Sequence, residues 1–267
     1  MKAAVVSFRR GAQWLLEGWR MFRVAPLAWL MFVVLYVMMM ALLASVVPKI
    51  GFALGLALVP AFTVGFMTIS RSCARKQAPP MVDLFAGFRS QLPAQLALGA
   101  VYVLLVAATL WATTLADDGV LMRWFVDGQK PGIESIRSAE LRSALLVFAG
   151  GLTPVITLFW FAPVLVAWHG MGVAKAMFFS FAACMVNWRA FTGYGVAGAM
   201  LLLGVPLVVS GVLLMLFGLQ AGSALTDRLM PILVLVMAPV LFGSFYASYR
   251  DVFGTATAPP PGEPVPQ

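Results

Sequence analysis

Six stretches of this chain contain no Asp, Glu, Lys or Arg, and each is 21 to 37 residues long. They cover residues 24–48, 50–70, 90–116, 143–174, 190–226 and 229–249. A helix needs roughly 20 apolar residues to cross the hydrocarbon core of a bilayer, and it satisfies its own backbone hydrogen bonds there. Two crossings joined by a turn need more than about 40 residues. The sequence therefore predicts six transmembrane helices, one in each stretch.

The predicted architecture is an all-α, polytopic membrane bundle over residues 26–250. A cytoplasmic segment, 1–25, precedes it, and a Pro-rich, disordered tail, 251–267, follows it. We expect the spans at about 26–47, 51–70, 92–116, 144–168, 192–218 and 229–249. The one long polar loop, 117–142, is interpreted as a solvated connector or as a docking loop for a partner. Because soluble domains are about 25% charged, a chain that is 62% hydrophobic and 10% charged is not a soluble enzyme, a nucleic-acid binder or a disordered protein.

Basic residues are distributed unevenly between the two sides of the predicted bundle. With the N-terminus in the cytoplasm, the inner segments hold 12 Lys and Arg and four acidic residues, and the outer segments hold six of each. Lys and Arg accumulate in cytoplasmic loops, so both termini are predicted to be cytoplasmic. The net charge of +8 then lies on that face, which favours anionic lipid of the bilayer as a partner.

A repeat of helical hairpins is indicated by a proline in the second helix of each pair. These prolines are Pro60, Pro163 and Pro239, and a basic residue follows each one eleven or twelve positions later. Their separations are 103 and 76 residues. The loop 117–142 lies in the longer interval and accounts for the difference. The sequence therefore predicts three hairpin repeats with one insertion.

Each hairpin is preceded by a segment that we predict to be an interfacial amphipathic helix. In the first, Phe8, Ala12, Leu15, Trp19 and Phe22 recur at three- and four-residue spacing, with Arg9, Gln13, Glu17 and Arg20 on the opposite side. Such a helix is expected to lie in the headgroup region, with its arginines facing anionic lipid. Weaker versions comprise Met81, Leu84, Phe85 and Phe88, and then Met177, Phe181, Cys184 and Trp188.

Few residues in the chain are of a type that carries chemistry. His169 is the only histidine, and it is either a proton acceptor or, as we expect, a hydrogen-bonding residue at the interface. Ser180 and Asn187 share a helix face and are expected to cap or tie the start of the fifth span. No charged residue lies mid-span, and no phosphate loop, metal motif or nucleophile elbow is present. We therefore predict no catalytic, cofactor-binding or metal-binding residue and no enzymatic activity; an intramembrane enzyme requires His169 to meet a serine or a carboxylate.

Small residues recur every seven positions in the predicted fifth span, at Ala197, Gly204, Gly211 and Gly218. A row of small residues allows a neighbouring helix to approach closely. The neighbour is either a helix of the same chain or one of a second protein, so a homo-oligomer or a membrane protein partner is left open.

Three blocks of sequence resemble a family of uncharacterised Gram-negative bacterial inner-membrane proteins with about six predicted helices. The blocks are Glu17–Arg23 with Pro26, Asp83–Arg89, and Ala162–Leu165 continuing through His169 and Gly170 to Ser180 and Asn187. The likeness spans most of the chain up to the sixth helix, without the loop and the tail. It implies a multi-pass protein of the bacterial inner membrane. The family has no established activity, so the resemblance implies no site residues.

The function expected from these observations is non-enzymatic: a membrane scaffold, an assembly factor or a regulatory partner. The alternative is a permease for a small neutral or lipid-like solute. A water-filled cavity in mid-membrane, lined by the helix prolines and Gln220, favours the permease, whereas a bundle packed solid through its centre excludes it.

Overall fold

A computed structural model of the protein describes residues 3–46, 50–129 and 131–254. The helices are α1 (Phe8–Phe22), α2 (Pro26–Val46), α3 (Ile50–Ala74), α4 (Ala86–Arg89), α5 (Leu92–Asp117), α6 (Val120–Asp127), α7 (Ile133–Arg137), α8 (Ala139–Phe159), α9 (Ala162–His169), α10 (Val173–Val186), α11 (Trp188–Ala199) and α12 (Val205–Phe253). A 3-10 helix, Met81–Phe85, precedes α4, and a π-helical turn, Met200–Gly204, joins α11 to α12. None of the described residues forms a strand, so the all-α prediction is confirmed. Most of the predicted tail lies outside the described residues.

Five helical stretches within the described part of the chain are long and apolar enough to cross a membrane. They are Pro26–Val46, Ile50–Ala74, Leu92–Asp117, Ala139–His169 and Trp188–Phe253. The first four each contain one predicted span. The fifth stretch contains both of the last two predicted spans, so the six crossings in three hairpins stay a prediction.

The stretch Trp188–Phe253 is not one straight helix, because Gly218 interrupts it with φ 73° and ψ 176°. Glycine adopts a positive φ without the steric cost that a Cβ brings. The hydroxyls of Tyr194 and Ser244 are 2.8 Å apart, although 50 residues of unbroken helix would separate them by roughly 75 Å. The backbone at Gly222 also lies against Leu213. The chain therefore reverses direction near Gly218, at the end of the predicted fifth span.

The predicted fourth span is broken between α8 and α9. Pro163 lies at the start of α9, where a missing backbone N–H and a fixed φ are tolerated best. The hydroxyl of Ser180 accepts a hydrogen bond from the Phe161 amide at 2.9 Å and donates one to the carbonyl of Thr157 at 2.8 Å. Ser180 was expected to cap or tie the fifth span. It ties α10, the helix before that span, to backbone groups that this break exposes.

The described residues form two compact units, which we call the terminal unit and the central unit. The terminal unit comprises the described residues within Met1–Tyr36, Gly65–Leu84 and Ala183–Gln267. The central unit comprises those within Val37–Val64 and Phe85–Ala182.

Aromatic rings and glycines build the core of the terminal unit. The ring of Phe66 is parallel to those of Trp29 and Phe242, with centroid distances of 6.4 and 3.8 Å. Helix α1 approaches α11 and α12 through two glycines: a Cβ on Gly11 would collide with the Ala190 carbonyl, and one on Gly18 would collide with the Val240 carbonyl. Small residues at such contacts bring helix backbones together.

The central unit contains the long polar loop, half of which forms the short helices α6 and α7. Asp117 is buried, and its carboxylate accepts hydrogen bonds from the amides of Gly119 and Leu121, at 3.0 and 2.7 Å. Leu121 is itself buried against Leu141 and Ala144. The interpretation of this loop as a solvated connector is therefore wrong for its first part, because Asp117 caps the turn into α6 and an apolar cluster holds that helix.

Candidate functional site

The face of α1 that packs against the protein differs from the predicted one. Its buried residues are Gly11, Trp14, Leu15, Gly18, Met21 and Phe22. Phe8 and Trp19, expected on the apolar face, are 49% and 43% exposed. The prediction gave no weight to the glycines, yet Gly11 and Gly18 make the closest backbone contacts of α1. The helix is therefore docked on α11 and α12, and its contact with lipid stays a prediction.

Four charged side chains join α1 to the end of α12. Arg10 Nε lies 2.5 Å from Asp251 Oδ2, and Arg10 Nη2 lies 2.5 Å from Glu17 Oε1. Arg250 Nη2 pairs with Glu17 and lies 3.3 Å from Asp251 Oδ1. We call these residues the charge cluster. Two positive and two negative charges cancel in it, and the hydrogen bond to Asp251 raises the pKa of the Arg10 guanidinium above its ordinary value.

Trp14 connects the charge cluster to the core of the terminal unit. Its side chain is fully buried, and its indole Nε1 donates a 2.9 Å hydrogen bond to Asp251 Oδ2. The ring packs against Phe191 and Tyr194, with centroid distances of 5.5 and 5.9 Å. A buried tryptophan needs a partner for its N–H, and Asp251 supplies it.

The segment before α1 is held by Asn187. The side-chain amide of Asn187 donates to the Ala4 carbonyl at 2.9 Å and accepts from the Val6 backbone amide at 2.7 Å. The Ala4 backbone amide in turn donates to the Val252 carbonyl at 2.7 Å. Asn187 occupies the N-cap position of α11 but makes no side-chain capping bond there. Of the two expected roles, capping is wrong, but Asn187 does tie the start of α11, because its side chain also donates to the Ala183 carbonyl of α10 at 3.0 Å. Its buried amide binds residues 4–6 as a neighbouring strand would.

A basic pocket of about 300 Å³ lies beside the charge cluster. Its lining is Glu17, Arg20, Met21, Val24, Cys73, Ala74, Lys76 and Arg250. These residues come from α1 and its C-terminal turn, from the end of α3 and from the end of α12. The sequence placed Arg20, Lys76 and Arg250 on one side of the membrane, but nothing in their spacing indicated that they share a pocket.

Lys76 is held at the rim of this pocket by an unusual backbone conformation. Its φ is 59°, in the left-handed region that glycine normally occupies after a helix. The Lys76 amide bonds to the Cys73 carbonyl at 2.9 Å, and the Gln77 amide bonds to the Ser72 carbonyl at 3.1 Å. This pair of bonds is a Schellman motif, which closes the C-terminus of α3.

The remaining residues singled out by sequence lie elsewhere. His169 is half-buried at the end of α9, and Gly170 follows it with φ 61°. Gln220 is exposed, two residues after Gly218. Of the third predicted interfacial set, Cys184 is buried, whereas Phe181 and Trp188 are exposed, because α10 turns Ala176, Ser180 and Ala183 inward. Among the described residues, no group of three His, Cys, Asp or Glu side chains is arranged to hold a metal ion.

A second cavity, of about 450 Å³, lies between α5 and α8 in the central unit. Its lining is Leu105, Ala108, Thr109, Ala112, Val147, Gly151, Pro154, Val155 and Leu158. Neither Gln220 nor the prolines of the hairpin repeat line it. The lining is almost entirely apolar, so this groove suits a hydrocarbon chain better than a polar solute.

The comparisons with known proteins agree with a membrane location. The chain is 37% identical to a probable inner membrane protein of Burkholderia thailandensis over 271 residues, which cover 99% of this chain and 97% of that protein. The name of that relative gives its location and no activity. No family model and no solved structure matches the chain.

Proposed function

This chain belongs to the family of that Burkholderia inner membrane protein, and from this premise we propose that it is a non-enzymatic scaffold, assembly or regulatory protein of the inner membrane. The observation that carries the proposal is the use of its buried polar side chains. Ser70 donates to the carbonyls of Phe66 and Phe242, Gln95 to that of Pro163, and Asn187 to that of Ala4. These groups hold segments of the protein to one another, which is the role expected of polar residues in a structural membrane bundle.

The reversal at Gly218 supports six crossings in three hairpins. It divides Trp188–Phe253 into two arms, each of at least 30 residues, and each arm is longer than the roughly 20 residues that a crossing needs. A short helical segment precedes each proposed hairpin. These segments are α1, the 3-10 helix with α4, and α10.

Contacts within the terminal unit support placing both termini on the same side of the membrane. The Ala4 amide bonds to the Val252 carbonyl, and one pocket is lined by residues of α1, α3 and α12. With the excess of Lys and Arg on these segments, that side is the cytoplasm. A reporter fused after Lys130 is then active outside the cell, and one fused after Gln267 is active inside. The reverse pattern would contradict the orientation.

The scaffold role is tested by native mass spectrometry of the full chain extracted from its membrane. We expect a second copy of the chain or another membrane protein to remain bound in stoichiometric amount. A monomer that retains only lipid under every mild extraction condition would contradict the proposal.

The permease alternative rests on the groove between α5 and α8, and solute flux decides it. We expect liposomes containing the full chain to equilibrate glycerol, and to move a short-chain fluorescent phospholipid between leaflets, no faster than protein-free liposomes. Gly151→Leu fills the groove, because a Cβ at Gly151 meets the Thr109 side chain, whereas Gly150→Leu enters open space. The result that would contradict the scaffold proposal and favour a permease is flux above the protein-free rate. That flux would fall with Gly151→Leu and not with Gly150→Leu.

A further inference from the structure

We propose that the basic pocket beside the charge cluster binds the phosphate of an anionic phospholipid headgroup, and that Arg20 and Lys76 are its principal ligands. The inference deepens the proposed function, because it names the lipid contact of the cytoplasmic side and rests on that orientation. Pockets rich in Lys and Arg at the cytoplasmic ends of membrane helices are suited to anionic headgroups.

The charges around the pocket are not equivalent. Glu17 and Arg250 line it, but both belong to the charge cluster, in which Arg10 and Asp251 balance them. The excess positive charge at the pocket is therefore that of Arg20 and Lys76, both exposed. An anion that enters the pocket meets two cations that belong to none of the ion pairs of the charge cluster.

Arg250 adds directional donors to this charge. Its bonds to Glu17 and to Asp251 are both made through Nη2. Those two carboxylates therefore do not use the Nε–H and Nη1–H groups of the same guanidinium. The planar guanidinium of an arginine can donate two parallel hydrogen bonds to a phosphate. Arg250 can therefore bind Glu17 and Asp251 through Nη2 and a phosphate through Nε and Nη1 at the same time.

The apolar part of the lining favours a lipid over free phosphate. Met21, Val24, Cys73 and Ala74 line the same cavity as the charged residues. Val24 is 39% exposed and stands two residues before α2, a helix that is long and apolar enough to span a membrane. A headgroup in the pocket leaves its acyl chains next to apolar helix surface, whereas inorganic phosphate gains nothing from these side chains.

The test is a titration of the purified full chain, in neutral detergent, with phosphatidylglycerol, read by native mass spectrometry. For Arg20→Gln combined with Lys76→Gln we expect the Kd of the first bound lipid to rise about thirtyfold, because each surface base contributes about 1 kcal/mol to such binding. Arg9→Gln removes one positive charge from an exposed position of α1 outside the pocket, and it should change the Kd less than twofold, against about fivefold for either pocket base alone. Phosphatidylcholine should bind the wild type as weakly as phosphatidylglycerol binds the double variant.

Two outcomes overturn the proposal. One is an unchanged Kd in the double variant while thermal unfolding shows it to be folded. The other is inorganic phosphate or glycerol 3-phosphate displacing the lipid at equal concentration, which would assign the pocket to a soluble phosphate. Since lipid binding in detergent does not depend on topology, its failure leaves the reporter-fusion and flux tests intact. The proposed function and the lipid site therefore fail separately.

Discussion

The terminal and central units are stabilised by different chemistry. In the terminal unit, α1 and the segment before it are joined to α11 and α12 by the charge cluster, by Trp14 and by the buried side-chain amide of Asn187. In the central unit, neutral polar groups satisfy helix breaks: Ser180 bonds across the gap between α8 and α9, and Gln95 bonds to the carbonyl of Pro163. Ion pairs therefore join α1 to α12 in the terminal unit, whereas the helix breaks of the central unit are satisfied by neutral hydrogen bonds, which are less costly to bury; the buried Asp117 carboxylate of the central unit binds backbone amides at the turn into α6.

The largest effect is expected from Gly18→Leu, which pushes α1 off the terminal unit. A Cβ at Gly18 would collide with the Val240 carbonyl, and Gly243 faces it closely. Overpacking typically costs about 1–3 kcal/mol, and backbone on both sides leaves little room to relax, so we expect a loss near the top of that range. Hydrogen–deuterium exchange should show lost protection in residues 8–22 and intact protection in 157–165. Gly195→Leu, which enters open space, is the control, and equal loss in both variants would contradict this packing.

Removing Asp251 should give the next largest effect. Asp251→Ala leaves Arg10 and the Trp14 indole without their shared acceptor. Breaking a buried pair costs about 3–5 kcal/mol, and because the Arg10 side chain is one-third exposed, solvent screening reduces the expected loss to about 2 kcal/mol. Exchange protection of residues 8–22 reports it. The wild type should lose part of the same protection in 1 M NaCl, and a salt-insensitive terminal unit would contradict a role for charge there.

Sequence alone could predict the long apolar helices of this fold because each charge-free run carries its own signal, but it did not show the break between α8 and α9 or the short helices α6 and α7. The contacts that make the candidate site are of another kind: Arg10 and Asp251 are 241 residues apart, and one sequence contains nothing that pairs them. Ser180 and Asn187 were singled out from the sequence, but their partners could not be. Ser180 bonds to backbone groups at a helix break, and Asn187 bonds to the backbone of the N-terminal segment. The packed face of α1 was predicted in part: Leu15 and Phe22 are buried as expected, whereas Gly11, Trp14, Gly18 and Met21 were missed. Glycine adds nothing to a hydropathy pattern, although it permits the closest approach.

Ser180→Ala should weaken the central unit by a smaller amount, about 1–2 kcal/mol, because it removes the hydroxyl that bonds to both the Phe161 amide and the Thr157 carbonyl. Protection of residues 157–165 should fall, and that of 8–22 should not. The loss should be the same in 1 M NaCl, since no charge is involved. Ser223→Ala removes an exposed hydroxyl that bonds within its own helix and should have no effect. A loss of stability that depends on salt, or an equal loss from Ser223→Ala, would contradict the difference in chemistry between the two units.

The smallest effect, and the one of opposite sign, is expected from Lys76→Gly. Glycine relieves the positive φ at the end of α3, so we expect a gain in stability of about 0.5–1 kcal/mol, read as a rise in Tm. The same change removes one base from the pocket, so the Kd for phosphatidylglycerol should rise about fivefold. Lys76→Gln loses the charge but keeps the strained backbone, so it should weaken lipid binding equally without the rise in Tm. If both variants lost lipid affinity in proportion to a loss of stability, Lys76 would be a structural residue. If Lys76→Gly lowers lipid affinity while it raises the Tm, the lysine occupies this strained position because its charge is needed for binding.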